Sequence, residues 1–89
     1  MIYIAHIHGK DIHISCGDAT QRIKWLAHVA IARWDEEDNQ GWKRLGIPTL
    51  VRSTNKNGVE LDMNSLIRDV LLNGDYVYVE SSLSPNETK

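Results

Sequence analysis

The sequence predicts an α+β fold in which one long helix packs across a mixed four- to five-stranded sheet. Two observations lead to this prediction. Short stretches that alternate between apolar and polar residues lie on both sides of one segment, residues 18–34, whose apolar residues recur at helical spacing. With 89 residues the chain has room for one hydrophobic core, so the helix and the sheet must bury their apolar faces against each other.

Two alternating runs at the N-terminus, residues 1–8 and 12–16, predict a β-hairpin with Gly9-Lys10-Asp11 as its turn. Because successive side chains of a strand point to opposite faces, each run has one face for the helix and one for the outside. We place towards the helix Tyr3, Ala5, Ile7, Ile12, Ile14 and Cys16. We place on the outer face of the sheet Ile2, Ile4, His6 and His8.

The predicted helix, residues 18–34, carries one apolar stripe. The stripe consists of Ile23, Leu26, Ala27, Ala30 and Trp34. Asp18 followed by Gln21 is similar to a capping box, and Thr20 is the alternative cap. Trp25 lies on the opposite side of the helix, where the core does not account for it. Either the long connection at residues 35–47 folds over Trp25, or a partner or second copy of the chain covers it.

The rest of the chain predicts short elements around a run of four acids at residues 35–38. Strands are predicted at residues 49–53, 59–61 and 76–80, and helical turns at residues 42–46 and 63–70. The polar tail, residues 81–89, is expected to be disordered or to begin a linker. Because Met1 enters the first strand almost at once, this arrangement is typical of an N-terminal domain of a longer protein.

The order of elements and the closing segment resemble the ubiquitin-like β-grasp superfamily over residues 1–80. The closing segment, NKNGVELDMNSLIRDVLLNGDYVYVE, is similar to the family's usual ending. The positions that match are Gly58, Leu61, Gly74, Asp75, Val77 and Val79. The doublecortin-like branch of the superfamily ends in a comparable way. Two departures mark a divergent member: no Gly-Gly follows the last strand, so conjugation is not expected, and the connection at 35–47 is longer than the family's.

Composition and charge narrow the classes of function. The net charge of −2 argues against nucleic-acid partners, whose readers usually carry a basic excess. No apolar run is long enough to span a membrane. The single cysteine, Cys16, forms no internal disulfide and suits the cytoplasm. Cys16 faces the predicted core, and the sequence holds no spaced carboxylate pair or phosphate loop, so we expect neither an enzyme nor a cofactor.

The outer face of the sheet is the predicted protein-binding surface. We place Leu50 towards the helix and Val51 outward, which joins Val51 to an aliphatic and aromatic patch on neighbouring strands. The resemblance implies the same region, because ubiquitin-like domains usually bind proteins there. The simpler interpretation is that the tyrosine rings only cover the strands. We expect a non-catalytic adaptor or scaffold module, with self-association as a variant. Its binding residues are Ile4, His6, Val51, Tyr76, Tyr78 and Trp25.

Two other functions are kept open. A doublecortin-like, microtubule-associated domain needs a clustered basic surface, which the acids at 35–38 oppose. The residues available for it are Lys10, Lys24, Lys43, Arg44 and Arg52. A metal-binding domain would use three imidazoles, since neutral histidine binds Zn²⁺ or Cu²⁺. The candidates are His6, His8 and His13, although their spacing matches no known motif and surface histidines are the simpler interpretation.

Overall fold

The structure, a computed structural model, describes residues 1–54 and 58–83. Its elements follow the chain as β1 Ile2–Ile7, β2 Lys10–Ser15, α1 Ile23–Trp34, α2 Trp42–Leu45, β3 Pro48–Ser53, α3 Ile67–Val70 and β4 Tyr76–Ser81. The sequence also predicts a turn at residues 55–58. Residues 55–57 of this turn and most of the predicted tail, residues 84–89, lie outside the described residues. The α+β class is confirmed, since one mixed sheet packs against helices.

The sheet has the order β2-β1-β4-β3. β1 runs antiparallel to β2 and parallel to β4, and β4 runs antiparallel to β3. The short fourth strand predicted at residues 59–61 is replaced by a single bridge between Arg52 and Glu60, so the described chain has four strands. At the other end of the sheet, Ser81 belongs to β4, so the predicted tail begins later than residue 81.

The turn of the β1–β2 hairpin lies at His8 and Gly9, one residue earlier than predicted. Both residues have positive φ, 45° and 84°, as a two-residue type I′ turn requires. This turn sets the register of the two strands, with Ile7 opposite Lys10 and His6 opposite Asp11.

The core lies between α1 and one face of the sheet. The helix contributes the predicted residues Ile23, Leu26, Ala27 and Ala30, all fully buried, and Trp34 packs half-buried at the edge. All residues of β1 and β2 that were placed towards the helix are buried. Burial raises the pKa of the Cys16 thiol, so Cys16 stays protonated at neutral pH and packs as a small apolar side chain.

α1 begins at Ile23, not at residue 18 as predicted. Gly17 and Ala19 have positive φ, 56° and 61°, which turns the chain before the helix. Asp18 does not cap the helix, because the N-cap position is Arg22 and no side chain caps it. The Asp18 carboxylate instead accepts a hydrogen bond from the Thr20 hydroxyl at 3.1 Å.

Backbone carbonyls from a distant segment take the place of the predicted cap. The N–H of Ile23 donates to the carbonyl of Ser65 at 2.9 Å, and that of Lys24 donates to the carbonyl of Met63 at 3.0 Å. Free N–H groups in the first turn of a helix need acceptors, and a side-chain cap is only one way to supply them. The start of α1 is therefore determined by tertiary contact.

The prediction that Val51 faces outward and Leu50 faces the helix is wrong. Val51 is fully buried and pairs with Val79, whereas Leu50 pairs with Glu80 on the opposite side of the sheet. Both residues are apolar, so either orientation fits the local pattern. Arg52 decides between them, because it is exposed and shares the face of Leu50 at a spacing of two.

The orientation of β3 can be tested by truncating its two apolar residues separately. Val51→Ala removes two methyl groups from the closed core, so we expect the free energy of unfolding to fall by about 1.5–3 kcal/mol. Leu50→Ala is the matched control and should cost less than about 1 kcal/mol, because its side chain is only half-buried. Urea unfolding followed by circular dichroism measures both. A larger loss for Leu50→Ala would contradict the orientation described here.

Candidate protein-binding surface

The outer face is the side of the sheet opposite α1, and it is formed by alternate residues of β1, β3 and β4. These residues are Ile2, Ile4, His6, Leu50, Arg52, Tyr76, Tyr78 and Glu80. The parallel register of β1 and β4 places Ile4 beside Tyr76 and His6 beside Tyr78. The predicted site residues of β1 and β4 therefore lie together, on two neighbouring strands in the middle of the sheet.

Three large side chains of the outer face are well exposed. Ile2, Tyr76 and Tyr78 keep 49%, 45% and 47% of their surface accessible. Within residues 1–54 and 58–83, neither tyrosine hydroxyl has a hydrogen-bond partner. Ile4 is only 9% exposed, so it presents little surface for contact.

His6 is held in place by two neighbours. Its Nδ1 lies 2.7 Å from Oδ1 of Asp11, the residue opposite it on β2. An ionised carboxylate only accepts hydrogen bonds, so Nδ1 carries the proton and donates. The ring of His6 also packs edge-on against Tyr78, with centroids 5.4 Å apart. These contacts hold one polar and one aromatic group side by side on the outer face.

A shallow groove of about 500 Å³ runs along the outer face beside Tyr78. His8 lines it, and its Nε2 lies 2.9 Å from Oγ of Ser81. Because the Ser81 hydroxyl donates its one proton to the carbonyl of Leu83 at 2.7 Å, His8 must be the donor in its own bond to Ser81. Arg52 and Glu80 close the groove on the side of β3, with Nε and Oε2 3.4 Å apart.

Sequence reasoning missed the polar partners on this face. The sequence places Asp11 in the turn and Ser81 in the tail, yet Asp11 binds His6 on the outer face and Ser81 binds His8 beside the groove. A turn at His8-Gly9 would have predicted the pairing of His6 with Asp11, since the two positive-φ residues define the register. Val51 does not belong to the face, because it lies in the core.

The three histidines proposed as metal ligands do not converge. His6 and His8 line the same groove, but each already has a hydrogen-bond partner, Asp11 for His6 and Ser81 for His8. His13 pairs with Ile4 across the hairpin, while His6 is bound to Asp11. In the part of the chain that the structure describes, no three histidine, cysteine or acidic side chains come close enough to hold a metal ion.

Trp25 is 37% exposed on the outer side of α1. The long connection after α1 makes its ring contacts with Trp34, the last residue of the helix, rather than with Trp25. Arg44 lies over the Trp34 ring at 6.0 Å, and Lys10 from β2 lies over it at 4.7 Å. Trp25 lies on the helix layer, and the outer face lies on the opposite side of the sheet. The two are separate surfaces of the domain.

The basic residues considered for a microtubule-binding surface are partly neutralised by acids. Lys10 lies 3.2 Å from Oε2 of Glu36, and Arg52 pairs with Glu80. Lys24 lies on α1, whereas Lys43 and Arg44 lie on α2. Among the described residues, the five basic side chains therefore come from different strands and helices: Lys10, Lys24, Lys43, Arg44 and Arg52.

The acidic segment after α1 is organised by its first carboxylate. Asp35 accepts hydrogen bonds from the backbone N–H groups of Glu37, Asp38 and Gln40, at 3.2, 3.5 and 3.4 Å. Desolvation acts to raise the pKa of Asp35, but these bonds and the charge of Lys10 outweigh it and lower the pKa below its ordinary value. Asp35 therefore determines the backbone conformation of this loop.

Comparison with known proteins finds no matching family model, no similar curated protein and no similar solved structure. Among the described residues, no helix has the length and apolar character that crossing a membrane requires.

Asp35→Ala tests the role of this carboxylate. At pH 7 we expect the variant to unfold at a lower temperature than the wild type, because three backbone N–H groups lose their acceptor. A lowered pKa stabilises the folded chain above the ordinary value of 3.8, and this contribution is lost as the pH falls through the folded-state pKa. The difference in melting temperature should therefore shrink in acid.

The matched control is Asp38→Ala, whose side chain is exposed in the same loop. Thermal unfolding at pH 7 and below pH 4 compares the variants. An equal effect of both substitutions at pH 7 would contradict the role given to Asp35.

Proposed function

We propose that this chain is a non-catalytic protein-interaction module, an adaptor or scaffold domain that binds a partner protein through its outer face. One observation carries the proposal: Ile2, Tyr76 and Tyr78 are exposed together on hydrogen-bonded strands rather than on loops. Exposed apolar side chains that lie singly need no explanation, but a cluster held on a rigid sheet is typical of an interaction site.

The chemistry of the two tyrosines suits binding. A tyrosine ring offers a large contact area and has few rotatable bonds, so ordering it on binding costs little entropy. Each phenol also has a hydroxyl that is free of partners within the described chain and can bond across an interface. The groove beside Tyr78 ends at the Arg52–Glu80 ion pair, which supplies the polar rim that interfaces usually have.

The same proposal includes membership of the ubiquitin-like β-grasp superfamily. The parallel pairing of the first and last strands, with a helix across one face, agrees with what the resemblance implies. Two glycines of the closing pattern, Gly58 and Gly74, have φ of 77° and 90°, a conformation that favours glycine over other residues. The apolar positions of the pattern are buried in the core: Leu61, Val77 and Val79.

The setting we propose is the cytoplasm. The only cysteine of the chain, Cys16, is buried as a free thiol and needs no oxidising compartment. The formal net charge of −2 favours a protein partner over a nucleic acid or an acidic membrane surface.

The double substitution Tyr76→Ser with Tyr78→Ser tests the outer face. We expect it to weaken partner binding more than tenfold, because losing two buried tyrosines from an interface typically costs about 2 kcal/mol or more. The chain is immobilised, and proteins retained from a cell extract are quantified by mass spectrometry. Ile4 is left intact, since its burial makes substitution a risk to folding.

Trp25→Ala is the matched control, because it removes an exposed aromatic side chain from the other layer of the domain. Circular dichroism and thermal unfolding confirm that each variant is folded. Proteins lost by the tyrosine variant and retained by Trp25→Ala support the proposal. Equal retention by the wild type and the tyrosine variant, or loss with Trp25→Ala alone, overturns it.

A further inference from the structure

The two edges of the sheet differ in whether another segment of the chain pairs with them. At the β3 edge, the segment after residue 57 runs along the strand: the N–H of Ser53 donates to the carbonyl of Val59 at 3.0 Å, and the N–H of Leu61 donates to the carbonyl of Val51 at 2.8 Å. β2 forms the other edge, and within residues 1–54 and 58–83 no strand or loop pairs with its outer side. One edge is therefore covered and the other is open.

The hairpin register determines which backbone groups of β2 are free. Lys10 closes the two-residue turn opposite Ile7, and such closing residues exchange both hydrogen bonds. Cys16 also bonds to β1, since its N–H donates to the carbonyl of Met1 at 2.8 Å. The even-numbered residues of β2 are thus directed to β1. The residues that direct their N–H and C=O groups away from it are Asp11, His13 and Ser15.

This open edge lacks most of the usual protection against pairing. Natural proteins block free edges with charged side chains, proline, a bulge, a very short strand or a covering segment. β2 is six residues long, contains no proline and pairs with β1 without a shift in register, and its two charged residues, Lys10 and Asp11, both lie at the start of the strand. The side chains of Asp11, His13 and Ser15 are all exposed, so they leave the edge accessible from the outer face.

We propose that a second copy of this chain pairs antiparallel with the β2 edge, about a two-fold axis that places His13 opposite His13 of the second copy. In this register Asp11 lies opposite Ser15 of the second copy, and Ile12 lies opposite Ile14 of the second copy. All three outward-directed residues then exchange backbone hydrogen bonds. A register shifted by two residues, with Asp11 opposite His13, leaves Ser15 without a partner.

The pattern of side chains favours a second copy over a strand of another protein. A two-fold interface must be self-complementary, and this edge is: Ile12 meets Ile14 of the second copy on the core side, and a carboxylate meets a hydroxyl on the outer side. No residue with a fixed charge lies opposite a like charge, because Asp11 faces Ser15 and Lys10 faces Cys16 of the second copy.

The pairing would join the two sheets into one and bring the two outer faces onto the same side. A two-fold axis perpendicular to a sheet preserves which face is which, so a dimer would present two tyrosine clusters to one partner or to a repeated one. The dimer itself is expected to be weak, since a single strand pair buries less surface than a standard interface. The proposed dimer goes beyond the proposed function and does not depend on it.

Cysteine cross-linking tests the register. In a Cys16→Ala background, His13→Cys puts one thiol directly opposite its copy, at a Cα separation of about 5.5 Å, within the range a disulfide spans. Under mild oxidation we expect a covalent dimer on a non-reducing gel. Ser15→Cys is the matched control, because in this register it lies opposite Asp11 and far from its own copy. Cross-linking of Ser15→Cys alone, or equal cross-linking of both variants, overturns the proposal.

Sedimentation equilibrium tests the association without a covalent bond. Between about 10 µM and about 1 mM, concentrations that bracket a weak interface, we expect the wild type to shift from monomer towards dimer. His13→Lys places two fixed positive charges opposite each other and should raise the dimer dissociation constant about fivefold. The matched control is His28→Lys, which adds the same charge at an exposed histidine of α1 and should dimerise as the wild type does.

The outcomes distinguish self-association through the β2 edge from self-association through the outer face. A wild type that stays monomeric up to about 1 mM overturns the proposal, as does a dimer that His13→Lys leaves unchanged. A dimer that the Tyr76→Ser and Tyr78→Ser variant abolishes while His13→Lys does not would assign self-association to the outer face instead. Loss of partner binding by the tyrosine variant with dimerisation intact supports both proposals independently.

Discussion

The parallel pairing of β1 with β4 is the constraint on which the rest of the structure depends. Two parallel strands cannot be joined by a tight turn, so the chain between them must leave the sheet and return. α1 lies in this crossing segment and buries one face of the sheet beneath it. On the other face, the same pairing sets Ile4 beside Tyr76 and His6 beside Tyr78. One backbone pairing therefore produces both the core and the candidate binding surface.

Much of this fold could be predicted from periodicity alone. Alternation identified the hairpin and β4, and a helical stripe identified α1, because each pattern reflects burial on one side of a regular element. The start of α1 could not be predicted in this way. Its first N–H groups bond to carbonyls of Met63 and Ser65, about forty residues away along the chain. The bridge that replaces the predicted strand at residues 59–61 is likewise a product of tertiary packing.

The residues of the candidate site could be predicted where apolar and polar side chains alternate along a strand. They could not be predicted where two neighbouring residues are both apolar. Tyr76 and Tyr78 were placed correctly, because the valines between them are buried. Val51 was misplaced because its neighbour Leu50 is equally apolar, and only the exposed Arg52 distinguishes the two orientations. Asp11 and Ser81 were missed because their roles depend on a register and a strand end that differ from the predicted ones. An error of one residue in a turn thus removes a polar contact from the predicted site.

The central strand pair also has a consequence for how the chain is made. The β1–β2 hairpin needs only local contacts, so it can form as soon as its residues emerge from the ribosome. The edge of β1 that pairs with β4 stays unpaired until β4, residues up to Ser81, has been synthesised. β4 is the last strand in the described chain. During that interval the growing chain exposes a strand edge beside a partly assembled core, which is when aggregation competes with folding. The sheet of this domain can therefore be completed only after β4 has been synthesised.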